Sequence, residues 1–412
     1  MKITALELLK VPPSWVWLKL HTDEGLTGLG EPYLEGHPEA VIAEVRRLEP
    51  LLLGEDPRRV EYLWERMYTA GGHYRGGPVT MSAISGIDIA LWDVAGKAAG
   101  VPVHRLLGGA CRERVLVYHA SGGAPPHCVA PGLPYRAGRA GAGAGRGAPD
   151  PGPRRRGRRP GDPAAFAAAA RTLVQEWGYR CLKTHLGVGE RLEATDRVGE
   201  IAERFAAVRE GAGPDVPVAI DIHNPLPALG VQLIEALAPL RPLFIEEPMP
   251  VERVEALAQM LRGGPGAGVP IAAGERWMGK WVFFDALSRG LLAVVQPDLC
   301  HAGGITECKK IAALAEAAYA QVALHCPLSP IAFAASVQLD AALPNFLVQE
   351  HNEVNNWREG GRTLIGKGYL AQPFALDEDG CVGVPDGPGL GIEPDEAGLQ
   401  EVLARPWSAV RG

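Results

Sequence analysis

The sequence predicts an α/β barrel of parallel strands that follows a smaller α+β domain. Three observations lead to this fold class. Strand patterns come before helix patterns in the first part of the chain, and strand and helix patterns then alternate from Val115 onward. Several of the later strand patterns end in an acidic residue. Acidic residues at the carboxyl ends of parallel strands are typical of barrels that carry their chemistry at that edge.

Three acidic strand ends are the strongest signal in the sequence. Asp221, Glu246 and Glu275 each close a short apolar run, about one strand–helix repeat apart. Such runs are too short for helices and too apolar for loops, so buried parallel strands are predicted. One acid after a strand is more often a helix cap or a surface charge. Three carboxylates that meet at one barrel mouth would repel one another without a hard divalent cation, so a magnesium site is predicted.

Size and composition restrict the class of protein. The 412 residues leave room for a full barrel and a smaller domain. A net charge of −7 and an apolar fraction of 47% are typical of a soluble globular protein and give no general reason to expect nucleic acid binding. The first ten residues are predicted to form a strand, not a signal peptide, and the uncharged stretch Ala317–Leu339 makes a poor membrane span. Seven cysteines without paired spacing predict neither a zinc site nor disulfides, so a cytoplasmic protein is expected.

The N-terminal elements are predicted to form an α+β domain over about residues 1–112. Periodicity indicates three strands and then three helices, at 2–10, 15–21, 26–30, 38–53, 57–69 and 79–100. The long last helix carries Ile84, Ile87, Leu91 and Val94 on one face. The segment from about Trp357 to the end is predicted to pack back on this domain.

Eight barrel strands are predicted over residues 113–356, near 115–120, 180–185, 218–222, 243–246, 270–274, 292–296, 321–325 and 346–350. The spacing between the first two is enlarged by a segment rich in Arg, Gly, Ala and Pro, about 125–163. Such a composition cannot bury enough apolar surface to offset its ordering entropy. We interpret the segment as a disordered basic loop, or a stretch in the wrong reading frame, that replaces the first barrel helix. No function is expected of it, and weak contact with polyanions is the alternative.

Two histidines are candidates for proton transfer. His223 lies two positions after Asp221, which on an extended strand puts both side chains on one face. His325 ends the predicted seventh strand, across the barrel from the third, so the two imidazoles are expected on opposite sides of one substrate. Asp298, at the end of the sixth strand, is predicted to hold His325 in one tautomer and raise its basicity. A single histidine in such a place is more often structural, and the pair beside a metal site favours catalysis.

The predicted parts suggest a reaction class. A metal ion held by carboxylates coordinates a substrate carboxylate and stabilises the enediolate that forms when the α-proton leaves. A histidine or lysine base acting beside magnesium in this way is a known arrangement.

The chain resembles the mandelate racemase branch of the enolase superfamily over nearly its full length, and within that branch it is similar to the galactonate dehydratases. The motifs that carry the resemblance are Pro12-Pro13, Thr22-Asp-Glu-Gly25, Gly30-Glu-Pro32, Tyr74-Arg-Gly-Gly-Pro78, Gly86-Ile-Asp-Ile-Ala-Leu-Trp-Asp93, Asp221-Ile-His223, Arg241-Pro-Leu-Phe-Ile-Glu-Glu-Pro248, Ala273-Gly-Glu-Arg276, Gln296-Pro-Asp-Leu-Cys-His-Ala-Gly-Gly-Ile-Thr-Glu307 and His325-Cys-Pro-Leu-Ser-Pro330. The resemblance implies a modified TIM barrel, (β/α)7β, with an N-terminal α+β capping domain that the C-terminal segment completes. It also implies that Asp221, Glu246 and Glu275 bind Mg²⁺.

The resemblance further implies roles for individual residues in a dehydration. His325, paired with Asp298, would take the C2 proton of a sugar acid, and His223 would help the C3 hydroxyl leave. Glu350, at the end of the eighth strand, matches a residue that hydrogen-bonds the substrate carboxylate. The product would be a 2-keto-3-deoxy sugar acid, and a symmetric homo-oligomer is expected.

The sequence departs from this family pattern in three places, and the basic segment described above is one of them. Lys183 and His185 end the second strand, where racemases of the branch have Lys-x-Lys and galactonate dehydratases have Asn at the second position. We expect both residues to contact substrate, with a metal contact or an extra base as alternatives for His185. Ser14 stands where an Arg is expected, in one of two loops, Pro12–Trp15 and Glu31–Glu35, that would help to select the substrate.

Two other functions remain possible on the sequence alone. A racemase or epimerase of the same superfamily would use Lys183 or His185 against His325 and exchange the α-proton without loss of water. A barrel that no longer catalyses would serve as a binding protein. The expected partner is a small sugar acid, with no nucleic acid and no membrane.

Overall fold

The computed structural model describes residues 1–121, 162–186, 197–223, 227–250, 254–261, 268–351 and 356–409. The basic segment at about 125–163 lies almost wholly outside these residues, so the expectations of disorder and of no function remain predictions.

The N-terminal region begins with a three-stranded antiparallel sheet followed by helices. The sheet has the order β1-β2-β3, and the elements run β1 Ile3–Val11, β2 Trp15–Thr22, β3 Thr27–Gly30, α1 Pro38–Leu52, α2 Val60–Thr69, α3 Pro78–Ala99 and α4 Val103–Leu106. The predicted order of three strands and three long helices is confirmed, with the short α4 in addition.

Helix α3 is the centre of this region. It starts with Pro78, whose fixed φ suits a first helical turn, and ends at Gly100, which has a left-handed φ of 68°. The predicted apolar face is fully buried. The helix is long and apolar enough to cross a membrane by length and composition, but 78% of its most apolar window is buried inside the protein. That burial is typical of a core helix.

Eight parallel strands form the barrel, and the predicted strands are confirmed, several of them shorter than expected. They are β4 Arg114–Ser121, β5 Leu182–His185, β6 Val218–Asp221, β7 Ile245–Glu246, β8 Ile271–Ala273, β9 Val294–Val295, β10 Gln321–Val322 and β11 Gln349–His351. Strands β4 to β10 pair in sequence order, and β11 pairs with β4. The ring closes where Val322 donates to the Asn345 carbonyl at 2.9 Å and accepts from Leu347 at 2.8 Å.

Among the described residues, seven helices alternate with these strands: α5 Pro163–Gln175, α6 Arg197–Ala212, α7 Pro227–Leu237, α8 Val254–Leu261, α9 Lys280–Ser288, α10 Gly304–Ala317 and α11 Pro330–Ala341. This is a (β/α)7β barrel. The expectation that the basic segment replaces the first barrel helix is wrong, because α5 lies between β4 and β5. The Asp162 carboxylate caps α5 by accepting from the Ala164 amide, and Phe166 and Leu173 are buried.

The barrel interior is filled by one side chain from each strand region. These residues are mostly small or apolar, namely Tyr118, Cys181, Ala219, Phe244, Ala272, Val294, Ala323 and Val348. Because this layer closes the interior, the polar side chains at the strand ends face a mouth with a packed floor.

The C-terminal segment contacts both the N-terminal region and the barrel. It contains β12 Asn356–Glu359, β13 Arg362–Ile365 and β14 Phe374–Ala375 in one antiparallel sheet, then β15 Cys381–Gly383 and α12 Glu396–Leu403. The Tyr369 hydroxyl donates to the Pro12 carbonyl at 3.1 Å, and the Trp407 indole donates to the Trp15 carbonyl at 2.9 Å. Strand β15, however, pairs with barrel strand β4. We keep the division into 1–112, 113–356 and 357–412 as a proposal.

Candidate active site

The three predicted acids lie together at one barrel mouth. Asp221 ends β6, Glu246 ends β7, and Glu275 follows β8, and all three are buried. Their nearest carboxylate oxygens lie within 4.8 Å of one another. One oxygen of each, Oδ1 of Asp221, Oε1 of Glu246 and Oε2 of Glu275, is buried and accepts no hydrogen bond from the described residues. Unpartnered buried oxygens are costly, and a cluster of three is the donor set that a hard divalent cation prefers.

Lys183 borders this cluster as a fixed cation. Its Nζ lies 2.7 Å from Oε2 of Glu246 and 3.1 Å from Oε1 of Glu350, and 5.2 Å above the Tyr118 ring. Burial opposes the charged form, but the Glu246 and Glu350 carboxylates outweigh it and hold the pKa of Lys183 well above its usual value. The amine is therefore protonated and can attract an anionic substrate group.

His325 and Asp298 form the predicted pair. Nδ1 of His325 lies 2.7 Å from Oδ2 of Asp298, while Oδ1 of Asp298 accepts from the Cys300 amide at 2.6 Å. With Nδ1 directed to Asp298, the other ring nitrogen lies 3.4 Å from Oε2 of Glu275. Burial lowers the pKa of His325, but the Glu275, Glu350 and Asp298 carboxylates together raise it well above its usual value.

His223 lies on the other oxygen of Glu275. Its Nε2 is 2.7 Å from Oε1 of Glu275, and its Nδ1 is 3.4 Å from Oδ2 of Asp221. His223 lies close to Asp221 as predicted, but strand alternation is not the cause. Strand β6 ends at Asp221, and His223 has a φ of 47°, so the imidazole is placed by a turn and not by strand alternation. Burial opposes the charged ring, and the hydrogen bond to Glu275 and the Asp221 charge raise the pKa of His223 to about 9.

His185 ends β5 beside this histidine. Its Nδ1 lies 2.9 Å from Oδ2 of Asp221, and its ring centroid is 5.0 Å from that of His223. The His185 side chain is half exposed, with a relative accessible area of 49%. The structure thus brings all nine predicted site residues to the same mouth. The ninth, Glu350, accepts from the Cys326 amide at 3.1 Å.

Glu247 is a site residue that sequence reasoning missed. Its buried carboxylate lies 3.4 Å from Nε2 of His223 and forms an ion pair with Arg276. Burial, and next the Glu275 charge, raise the pKa of Glu247 to about 7. Strand alternation would turn Glu247 away from the face of Glu246, but its φ of 44° breaks the alternation. The signal in the sequence was the pair of consecutive acids before Pro248.

Two buried carboxylates join the N-terminal region to loops at the barrel mouth. Glu31 accepts from the amides of Ser329 at 3.1 Å and Ala332 at 3.2 Å, at the start of α11. Asp88 in α3 accepts from the Thr306 amide at 3.0 Å, at the start of α10. Burial raises the pKa of each carboxyl group to about 7.

Ser14 lies in one of the loops expected to select the substrate. It is fully buried, and its hydroxyl accepts from Tyr33 at 3.3 Å. In place of the longer side chain expected there, the two hydroxyls pack against each other.

Two family models match the chain, one over its N-terminal region and the other over the part that follows. The mandelate racemase / muconate lactonizing enzyme N-terminal domain matches residues 11–108, and the enolase C-terminal domain-like family matches residues 165–398. The two matches cover the N-terminal region and most of the barrel with the C-terminal segment. The chain belongs to the mandelate racemase branch of the enolase superfamily.

Individual relatives cover almost the whole chain. A D-galactonate dehydratase of Verminephrobacter eiseniae is 40% identical over 400 residues, which are 96% of this chain and 93% of the relative. A D-galactonate dehydratase of Ralstonia nicotianae is 40% identical over 402 residues, with the same shares covered. The predicted resemblance is therefore confirmed.

Solved structures confirm the fold. An enolase superfamily member from Salmonella Typhimurium superposes with a TM-score of 0.79 at 29% identity, over 97% of both chains. An enolase from Agrobacterium radiobacter, solved with sodium and L-malate bound, superposes with a TM-score of 0.78 at 30% identity, over 97% of this chain and 95% of that one.

Proposed function

We propose that this protein is a magnesium-dependent hydro-lyase that converts D-galactonate to a 2-keto-3-deoxy sugar acid. The observation that carries the proposal is the position of two histidines on the two oxygens of Glu275, with His223 at 2.7 Å and His325 at 3.4 Å. Two imidazoles at one acidic cluster supply a base and an acid for the same substrate. The full-length similarity to D-galactonate dehydratases supports the choice of substrate.

His325 is the proposed base. Asp298 accepts the Nδ1 proton, which leaves the Nε2 lone pair as the site that receives the C2 proton of the substrate. The electron pair of the broken C2–H bond then forms a C2–C3 double bond as the C3–oxygen bond breaks. The same Asp298 carboxylate stabilises the imidazolium that results.

His223 is the proposed acid. Its Nε2 is directed to Oε1 of Glu275 at 2.7 Å, and in its protonated form the ring can give a proton to the departing C3 hydroxyl, which leaves as water. The enol that remains takes a proton at C3, loses the proton of its C2 hydroxyl and becomes the 2-keto acid. The proton that His325 received and the proton that His223 gave balance over the cycle.

Asp221, Glu246 and Glu275 are the proposed Mg²⁺ ligands, because their carboxylates lie together and each has a buried oxygen that accepts no hydrogen bond from the described residues. When bound, the cation would supply positive charge that stabilises the negative charge developing on the substrate and offsets the carboxylates around His325. The Lys183 ammonium and Glu350, 3.1 Å apart, border the place proposed for the substrate carboxylate. His185 is proposed to line the same mouth as a substrate contact.

The racemase alternative fits the geometry less well. A second base opposite His325 would have to be neutral, whereas Lys183 is paired with two carboxylates and protonated. The Nδ1 atom of His185 is directed to Asp221, and His223 lies beside it as an acid. A binding protein without activity has no need for both imidazoles on one metal cluster.

The proposal includes the surroundings of the enzyme. We propose a cytoplasmic homo-oligomer that acts on a small sugar acid in carbohydrate breakdown, with no nucleic acid and no membrane partner. The acidic net charge of −7 supports the absence of a nucleic acid partner.

The test is dehydration of sugar acids, namely D-galactonate and its epimers at C2, C3 and C4, with Mg²⁺ and with keto-acid formation as the readout. The proposal expects D-galactonate to be the best substrate. If no sugar acid dehydrates while the α-proton exchanges with deuterated water, the racemase alternative replaces it. If folded, Mg²⁺-bound protein does neither, the proposed activity is wrong.

A further inference from the structure

A second group of metal-ligating atoms lies beside the three-carboxylate cluster. His185, Asp221 and His223 each offer one ligand atom, and these atoms lie within 4.8 Å of one another. Oδ2 of Asp221 is 2.9 Å from Nδ1 of His185 and 3.4 Å from Nδ1 of His223. Donor atoms around a tetrahedral zinc ion, with bonds of about 2.0 Å, are roughly 3.3 Å apart. The two distances from Asp221, 2.9 and 3.4 Å, are therefore close to the donor spacing around zinc.

We propose that His185, Asp221 and His223 form a second, inhibitory metal site, which takes a transition-metal dication such as Zn²⁺ or Co²⁺. Two imidazoles and one carboxylate favour these ions over Mg²⁺, which prefers oxygen ligands. The two sites can use different oxygens of Asp221. Oδ1 is buried and accepts no hydrogen bond from the described residues, whereas Oδ2 lies between the two imidazoles. One carboxylate that bridges two metal ions about 3.5–4 Å apart is a common arrangement.

Hydrogen bonding already orients His223 as a ligand. Its Nε2 lies 2.7 Å from Oε1 of Glu275, so Nε2 donates its proton there, and Nδ1 binds metal once the ring has given up its second proton. A carboxylate behind a metal-binding imidazole is the usual way in which proteins fix the ring and its tautomer. A metal ion can reach the site from solvent at His185, because its half-exposed side chain lies at the edge of the mouth.

Occupation of this site would inhibit the enzyme, a consequence that rests on the proposed acid role of His223. A metal ion on Nδ1 takes the place of the ring's second proton, while Nε2 stays directed to Glu275. The departing hydroxyl would then lose its proton donor. The inhibition depends on His185, which stands where the galactonate dehydratase pattern has Asn.

The test is titration of Mg²⁺-saturated protein with Co²⁺, followed by its visible d–d absorption. Wild-type protein is expected to bind one Co²⁺ per subunit in a strongly absorbing, low-coordinate site, from which Zn²⁺ displaces it. His185→Asn should weaken this site by more than the roughly 10–100-fold that loss of an outer-shell partner costs. His73→Asn, at an exposed histidine of the N-terminal region, is the matched control and should bind as wild type. Glu246→Gln removes a ligand of the other cluster alone and should keep the strong absorption.

Inhibition by Zn²⁺ is measured on the same variants. Dehydration by wild type should fall as Zn²⁺ fills the site, whereas the rate of His185→Asn, expressed relative to its own rate without Zn²⁺, should not change at the same Zn²⁺ concentration. Equal Co²⁺ spectra for wild type and His185→Asn, or a wild type without the strong absorption, would overturn the second site. If the spectrum depends on His185 but no sugar acid is dehydrated, the metal site stands and the proposed function fails.

Discussion

Nδ1 of His325 lies 2.7 Å from Oδ2 of Asp298, and this contact joins the ends of two neighbouring barrel strands. The carboxylate is held from two further sides, by the Cys300 amide at 2.6 Å and by the His301 ring at 3.8 Å. His301 in turn contacts the Ser82 hydroxyl in α3 at 3.1 Å. The orientation of the proposed base is therefore fixed by the barrel and by the N-terminal region together.

Replacing Asp298 by Asn should reduce dehydration strongly. The amide cannot stabilise an imidazolium and no longer selects the tautomer with a free Nε2 lone pair. We expect kcat to fall by about 10²–10⁴-fold with little change in KM. Steady-state kinetics on protein with an unchanged circular dichroism spectrum measures this effect. A kcat within a few-fold of wild type would contradict the assigned role.

Magnesium should stabilise the folded protein through the three-carboxylate cluster. Because the carboxylates repel one another, a cation that binds only the native state raises its stability, by about 2.7 kcal/mol at 100 times the dissociation constant. Chelation should lower the Tm of wild type, and added Mg²⁺ should restore it together with activity. The Tm of Glu275→Gln should respond weakly to Mg²⁺. An equal Tm shift in both proteins would place the cation elsewhere.

The buried carboxyl group of Glu31 should make stability depend on pH. Burial raises its pKa from 4.5 to about 7, so the folded state binds its proton more tightly than the unfolded state. This contribution is fully present below pH 4.5 and is lost as pH rises through about 7, which amounts to about 3 kcal/mol. The side chain at position 31 cannot titrate in Glu31→Gln. As pH rises from 4.5 to 8, the unfolding free energy of wild type should therefore fall by this amount relative to that of the variant. Parallel curves from pH 4.5 to 8 would contradict the prediction.

Close packing of β3 against α3 should not tolerate a methyl group. A Cβ atom on Gly30 would lie 2.0 Å from the Gly86 carbonyl oxygen. Gly30→Ala should therefore destabilise the protein by at least about 1–3 kcal/mol, measured by denaturant unfolding. Gly199→Ala in α6 is the control, because a Cβ atom at that position would meet no described atom within 4 Å. The control should be neutral or stabilised by up to about 1 kcal/mol, and equal losses would refute the packing argument.

Features with a local pattern could be predicted from the sequence. Asp221 and Glu246 end apolar runs that are strands in the structure, and alternation of strand and helix gave the barrel. Asp298 and His325 could be paired because parallel neighbours place their carboxyl ends side by side.

Features that depend on backbone conformation or on distant packing could not be predicted. The positive φ angles of His223 and Glu247 bring side chains into the site against strand alternation. The contact of Ser82 with His301 joins residues far apart in sequence, so no local sequence pattern predicts it. The helix at Pro163–Gln175 was not predicted, because the basic segment directly before it dominates the composition of this part of the chain. Its own Ala-rich composition favours a helix.

The most direct test of the proposed mechanism is the reaction of D-galactonate with His223→Asn in deuterated water. The variant is expected to form no keto acid but still to exchange the C2 proton for deuterium, because His325 and Asp298 are intact. Wild type should form the keto acid. Dehydration by the variant at the wild-type rate would contradict the assignment of His223 as the acid. Loss of both exchange and dehydration in folded, Mg²⁺-bound variant would contradict the division of roles between the two histidines.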